Sequence, residues 1–172
     1  MRRGYIQVYT GSGKGKTTAA LGLALRAAGA GLRVFIAQFM KQQKCSEHEI
    51  LERFQDLITL RQYGRGFVLR RRPKQSDVRA AQEGFSDLIS VMKSDSYDMV
   101  ILDEANVAVH YHLLTVNDLL YLMEIKPKGT ELIITGRYAD EKVIERADLV
   151  TEMREIKHYK DRGVKARRGI EK

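Results

Sequence analysis

YIQVYTGSGKGKTTAALGLALRAAG, residues 5–29, passes from a β-prone segment through three closely spaced glycines into an unbroken run of helix formers. Ile6 and Val8 fall on one face of the expected strand. Gly11, Gly13 and Gly15 let the backbone curl with its N–H groups turned inward, a shape few side chains permit. Lys16 and Thr17 follow at once, and Thr17 to Ala28 reads as a helix, rich in alanine and leucine despite Gly22. Inward amides, a helix N-terminus behind them, a lysine for the outer charges and a hydroxyl for Mg²⁺ make a phosphate cradle.

The Walker A pattern G-x-x-x-x-G-K-[ST], aligned on Gly15-Lys16-Thr17, puts Thr10 where its first glycine belongs, with Gly11 one residue late. The strand before it and the helix behind it are the context the pattern needs, so a chance glycine-rich turn is the weaker reading. Lys14 is an extra cation inside the loop, placed either to meet phosphate or to face solvent.

With 172 residues and an ordinary 44% apolar share, one domain spanning residues 1–172 is expected. No apolar run approaches the ~18 residues of a membrane span. The start, Met-Arg-Arg-Gly-Tyr, lacks the apolar core of a secretion signal, and Cys45 alone allows no internal disulfide. A cytoplasmic protein is expected. The formal charge of +8 is concentrated. Arg61 to Lys74 holds six basic residues and no acidic one, and Arg154 to Lys172 holds eight basic and three acidic. Such segments attract anions: nucleotide phosphates, an anionic cofactor or nucleic acid.

Along the rest of the chain strand and helix alternate. Gly29-Ala30-Gly31 ends the first helix, and RVFIAQF (33–39) reads as a second buried strand. Ser46 with Glu49 suggests a capping box and a short helix to Phe54, and Leu57 to Leu60 a third strand. Tyr63 to Lys74 reads as a long loop, of a length that is usually functional or mobile, and Ser76 as the cap of a helix to about Ser94. Thr115 with Asp118 opens a further helix, Glu131 to Thr135 is a strand, Asp140 to Ala147 a short helix, and Leu149 to Ile156 a last strand. Alternation with near-continuous apolar strands implies an α/β fold, a mostly parallel sheet with helices on both faces. Ligands on such sheets bind at the carboxyl ends of the strands. The phosphate loop, Phe39 to Lys41, Asp103-Glu104 and Gly136-Arg137 all fall there.

Met99-Val100-Ile101-Leu102-Asp103-Glu104 is a second chemical motif, four apolar residues followed by acids. Asp103 at a strand end can hold Mg²⁺ directly or through water. Glu104 can activate water, contact Mg²⁺ or substrate, or simply favour a helix start; spacing does not choose. Arg137 can reach phosphates or pair with an acid in its turn. His110 and His112, two apart, do not share a helix side, and one cysteine with four scattered histidines argues against structural zinc. The residues alone therefore define a Mg²⁺–nucleoside triphosphate protein of P-loop NTPase, RecA-like class, without naming its reaction.

YTGSGKGKTTAALGLALRAAGAG (9–31), VFIAQFMK (34–41), YDMVILDEANVA (97–108), LIITGRYA (132–139) and ADLVTEMREIKHYKDRGVKARRGIE (147–171) resemble the P-loop class of ATP:cob(I)alamin, or corrinoid, adenosyltransferases. The displaced first glycine is the expected form in that family, and the last stretch is the most specific. The resemblance implies that Co(I) of a reduced cobalamin or cobyrinic acid precursor attacks C5′ of ATP and releases tripolyphosphate, in cobalamin synthesis or salvage. It implies phosphate binding by Gly11, Ser12, Gly13, Lys14, Gly15, Lys16, Thr17 and Thr18, with Lys41 and Arg137 nearby. Mg²⁺ is expected on Thr17, Asp103 and Glu104. Lys16, Glu104 and Phe67 are the expected catalytic residues, Phe67 in a lid that faces cobalt. Because the metal of the corrinoid is the nucleophile, Glu104 need not activate water. ATP is expected to lie across the loop in an unusual direction.

Two departures stand out: Leu69 replaces a family aromatic, and Arg70-Arg71-Arg72 follows it. A family extension before the first strand is also missing from this sequence. A reduced flavoprotein as electron donor and a homodimer are further expectations; neither membrane nor nucleic acid is an expected partner. The competing classes are a RecA-like ATPase using residues 61–74 on nucleic acid, and a nucleotide-binding regulator without catalysis.

Overall fold

The apolar runs Val34–Phe39, Met99–Asp103 and Glu131–Thr135 are buried at every position, as strands covered on both faces must be. They are the middle of a sheet in the computed structural model, which describes residues 3–41, 45–66 and 72–171. The elements run β1 (Ile6–Thr10), α1 (Lys16–Gly29), β2 (Val34–Phe39), α2 (Ser46–Leu51), β3 (Ile58–Tyr63), α3 (Gln75–Ser94), β4 (Met99–Asp103), α4 (Ala105–His110), α5 (Val116–Ile125), β5 (Glu131–Thr135), α6 (Glu141–Arg146) and β6 (Leu149–Glu152). Among the described residues the sheet has six strands in the order β3-β2-β4-β5-β1-β6. Every neighbouring pair is parallel, one step beyond the mostly parallel sheet expected.

Period-two alternation sends β2, β4 and β5 side chains to two cores. Phe35, Ala37, Phe39, Val100, Leu102, Leu132 and Ile134 pack with α3, α4 and α5. Val34, Ile36, Met99, Ile101 and Ile133 pack against Ala20, Ala24, Ala27 and Ala28 of α1. This alanine stripe lets α1 lie close to the sheet. The α1-facing rows end, at the carboxyl edge, in Gln38, Asp103 and Thr135. Gln38 is paired in register with Asp103, and the Leu102–Ile134 pairing sets Asp103 beside Thr135. The polar row thus lies directly under the start of α1.

Several boundaries differ from the sequence reading. The cap of α2 is Cys45 rather than Ser46: the His48 ring accepts the Cys45 N–H at 2.8 Å, the role the capping box assigned to Glu49. The cap of α3 is Lys74 rather than Ser76, because Asp77 accepts the Lys74 N–H at 2.7 Å. In both, the third helical residue fixes the start, so the cap itself need not be Ser or Thr. At α5 the expected Thr115–Asp118 box forms in both directions, at 2.7 and 3.2 Å. β3 extends to Tyr63, and β6 stops at Glu152, beyond which the Met153 N–H still bonds the Thr10 carbonyl while its own carbonyl accepts from Gly13 in the phosphate loop. Helix α4 was not expected; its six residues, ANVAVH, are too few for a helical period and are held by burial.

Gly84 of α3 faces Tyr63, where a Cβ would fall 2.5 Å from the ring carbon Cγ. Alanine gains roughly 1 kcal/mol of helix propensity over glycine, but forcing a methyl into a filled site costs about 1–3 kcal/mol. Gly84→Ala is therefore expected to destabilise the protein in urea denaturation; a raised midpoint would show that this contact is loose.

Candidate nucleotide site

The phosphate loop closes on itself and on the C-terminal segment. Lys16 is buried, and its Nζ donates to the carbonyl oxygens of Gly11 at 2.7 Å and Gly13 at 2.6 Å. Burial holds its pKa below the usual lysine value, with Arg137 adding to that fall and Glu104 and Glu155 opposing it. Met153 donates its N–H to the Thr10 carbonyl at 2.9 Å and accepts the Gly13 N–H at 2.6 Å. A Cβ on Gly11 or Gly13 would come within 2.5 or 2.7 Å of that Met153 oxygen, so glycine is needed here for close packing as much as for curvature. Lys14 Nζ donates to the Ile170 carbonyl at 3.0 Å, so the chain end also lies against the loop. Ser12 and Thr18 are exposed. Gly15 precedes α1 with no side-chain cap, which leaves the first helical amides open to an anion.

Asp103, 1% exposed, is the hub. Its Oδ1 accepts from the Thr17 and Thr135 hydroxyls, each at 2.8 Å. Its Oδ2 accepts from Gln38 Nε2 at 3.2 Å and Lys41 Nζ at 3.1 Å. Thr17 spends its hydrogen on Asp103, which leaves the lone pairs of its oxygen for a cation. Lys41 also lies 3.6 Å from Glu47. Burial is the largest single influence on Lys41 and lowers its pKa, yet Asp103, Glu47 and Glu104 together raise it above the usual value.

Glu104 follows at φ 61, a left-handed conformation uncommon for a side-chain-bearing residue. Its N–H donates to Thr135 Oγ1 at 3.0 Å. Burial raises its carboxyl pKa and the Asp103 charge raises it further, against the pull of Lys41, Lys16 and Arg137. Met40 and Tyr138 also have positive φ, at 61 and 63. Backbone strain therefore collects at the carboxyl ends of β2, β4 and β5, where it turns Lys41, Glu104 and Arg137 about the phosphate loop. Arg137 is exposed and forms no ion pair among the described residues, so the turn salt bridge considered for it is not seen.

Phe67, the expected lid residue, lies outside the described residues, as do Leu69, Arg70 and Arg71. A cleft of about 530 Å³ opens at the base of that loop, lined by Gln62, Tyr63, Gly64, Arg65, Ala80 and Glu83. His110 is exposed and stacks on Tyr138 with ring centroids 3.9 Å apart, a surface role as expected. Ligand atoms of Cys45, Glu47 and His48 lie within 4.8 Å of one another. Both ring nitrogens of His48 are already engaged, one with Cys45 and one with Gln38, which favours a hydrogen-bonded cluster over a metal site. Burial, then Glu47, raises the Cys45 thiol pKa, against Lys41.

Sequence reasoning missed Gln38, Thr135, His48 and Met153. Gln38 had left a trace: an amide inside the apolar run RVFIAQF is a buried polar group that needs partners. Thr135 and Met153 act through register and backbone, which no local pattern reveals. Asn106 Oδ1 is the one buried side-chain polar atom among the described residues without a hydrogen-bond partner.

An all-parallel sheet, a Gly-Lys-Thr loop opening a helix, and an aspartate at the end of β4 bound to that threonine define a P-loop NTPase-like fold. A family model for ATP:corrinoid adenosyltransferase BtuR/CobO/CobP matches residues 2–171. A corrinoid adenosyltransferase from Sinorhizobium sp is 37% identical over 172 residues, covering 98% of this chain and 80% of that protein. One from Escherichia coli (strain K12) is 38% identical over 174 residues, covering 98% and 86%. Corrinoid adenosyltransferase CobA of Salmonella typhimurium is 36% identical over 174 residues, with the same coverage. The chain belongs to the ATP:corrinoid adenosyltransferase family.

The raised pKa of Glu104 has a thermodynamic sign. The folded state holds this proton more tightly than the unfolded chain, where the value is 4.5, so stability falls as pH rises through the folded pKa. Glu104→Gln is expected to stabilise the ligand-free protein near pH 7.5 and to have little effect near pH 4. Thermal denaturation at the two pH values tests this; equal shifts at both would remove the electrostatic cause.

Proposed function

We propose that this chain transfers the 5′-deoxyadenosyl group of ATP to the Co(I) centre of a reduced cobalamin or corrinoid precursor. Cobalt supplies an electron pair to C5′, the cobalt–carbon bond forms, the C5′–O5′ bond breaks, and the bonding pair leaves with tripolyphosphate. The single observation that carries this reading is the family match over residues 2–171. It includes the C-terminal segment, which generic P-loop ATPases lack and which here packs on the phosphate loop through Met153 and Ile170.

The residues suit a leaving group that is a whole triphosphate. The amides of Gly11, Ser12, Gly15, Thr17 and Thr18, with Lys14 and Lys16, stabilise the charge that grows as the C5′–O5′ bond breaks. Lys16 exchanges the Gly11 and Gly13 carbonyls for phosphate oxygens, and Lys41 and Arg137 flank them. The Gly13 N–H is committed to Met153, so the cradle differs from one in which every loop amide faces phosphate. That difference supports an unusual placement of ATP. Thr17, with its lone pairs directed away from Asp103, fits Mg²⁺ as an oxygen ligand; Asp103 fixes Thr17, and Glu104 adds charge beside it. When bound, Mg²⁺ neutralises charge on the phosphates. Glu104 has no water to activate in this chemistry, and Phe67 is proposed as a further catalytic residue, acting toward the corrinoid.

Residues 1–172 act as one domain in this reading. A reduced flavoprotein supplies electrons, the protein is a cytoplasmic homodimer, and no nucleic acid is bound. No helix among the described residues is long and apolar enough to cross a membrane.

An anaerobic assay with chemically reduced cobalamin and MgATP is expected to yield tripolyphosphate and a light-sensitive adenosylated corrinoid in equal amounts. Lys16→Ala is expected to lower that rate by about a hundredfold or more. ADP and phosphate as products, with no dependence on reduced cobalt, would favour the nucleic-acid ATPase instead.

A further inference from the structure

We infer that His48 is a positioning residue for the cation side of the site, acting through Gln38 on Asp103 and thereby on Thr17. The inference rests on the proposed Mg²⁺ role of Thr17 and Asp103.

His48 is 6% exposed on α2, and Gln38 is fully buried on β2. His48 Nδ1 lies 2.8 Å from the Cys45 backbone N–H and 3.2 Å from the Cys45 carbonyl oxygen; the N–H is the nearer and can only donate, so Nδ1 accepts. The ring hydrogen then sits on Nε2, 2.9 Å from Gln38 Oε1. With Oε1 filled from that side, the Gln38 amide turns its Nε2 to Asp103 Oδ2 at 3.2 Å. The opposite amide orientation would set N–H against N–H at His48 and oxygen against carboxylate at Asp103. Histidine and aspartate therefore select one orientation between them. Gln62, whose Nε2 lies 3.5 Å from Gln38 Oε1, is too distant to replace His48.

The other Asp103 oxygen accepts from Thr17 and Thr135. A directed chain thus runs from the Cys45 amide through His48, Gln38 and Asp103 to the Thr17 hydroxyl. It fixes the rotation of the carboxylate about its own bond, and with it the direction of the Thr17 lone pairs. Groups one step outside a metal's ligands commonly set its affinity, because they hold ligand orientation before the ion arrives.

The test is a Mg²⁺ titration at saturating ATP, read both as the Mg²⁺-dependent rise in melting temperature of the ATP-bound protein and as the rate of adenosyl transfer to reduced cobalamin. His48→Phe fills the ring's space without a donor. It is expected to raise half-saturating Mg²⁺ about tenfold, with the maximal rate within about twofold of the parent. His48→Gln, which restores an N–H near the Nε2 position, is expected to bring the value back to within about threefold. Equal behaviour of the two variants, or a rate lowered at every Mg²⁺ concentration with half-saturation unchanged, would show that His48 only packs α2 and would overturn the inference. Should His48→Phe fail to fold, Gln38→Leu carries the test: it must shift half-saturating Mg²⁺ as much. Where all variants fold, the His48→Phe/Gln38→Leu double variant must shift it no further than Gln38→Leu alone; additive shifts would overturn the relay. Asp103→Asn separates the two levels. If it shifts the Mg²⁺ dependence and His48→Phe does not, only the relay fails. If Asp103→Asn leaves the dependence unchanged, the metal reading fails and the relay's role falls with it.

Discussion

Asp103 accepts hydrogen bonds from Thr17, Gln38, Lys41 and Thr135, which belong to three different elements and the turn after β2. A buried carboxylate without partners would be strongly destabilising. With two donors on each oxygen, one of them the Lys41 ammonium, the same charge instead ties the start of α1 to the ends of β2 and β5. These bonds exist because the register sets Gln38, Asp103 and Thr135 in one row and because the alanines of α1 bring Thr17 down to it. Slip one strand by a residue and the row turns to the opposite face of the sheet.

Around that hub the cations are held in different ways. Lys41 is paired with Asp103, and its pKa rises despite burial. Lys16 is buried against backbone carbonyls, and its pKa falls. A lysine satisfied only by neutral carbonyls is ready to exchange them for phosphate, whereas one paired with a carboxylate stays where it is. The strained residues Met40, Glu104 and Tyr138 keep the loop ends in place before any ligand arrives, and such pre-organisation reduces the ordering that binding would otherwise require.

The C-terminal segment sets this site apart from a bare phosphate loop. Met153 takes the Gly13 amide, and Ile170 takes the Lys14 ammonium, so a stretch far along the chain shapes the cradle itself. Any P-loop protein needs amides, lysine and hydroxyl; a transferase acting at the ribose also needs the triphosphate held as a single leaving group.

Local sequence was enough for the phosphate loop, the aspartate at the end of β4 and the alternation of strand and helix, because glycine conformation, apolar period and capping chemistry act over a few residues. It was also enough to place Lys16, Thr17 and Asp103 together, since that motif pair carries its own geometry. Strand order, the polar row from Gln38 to Thr135, the pairing of His48 with Gln38, the short helix α4 and the Met153 contact came only from the tertiary structure. Each depends on which distant segments become neighbours: Gln38 looks like one polar letter in an apolar strand until β4 is laid beside it, and His48 like a helix residue until its ring meets Gln38.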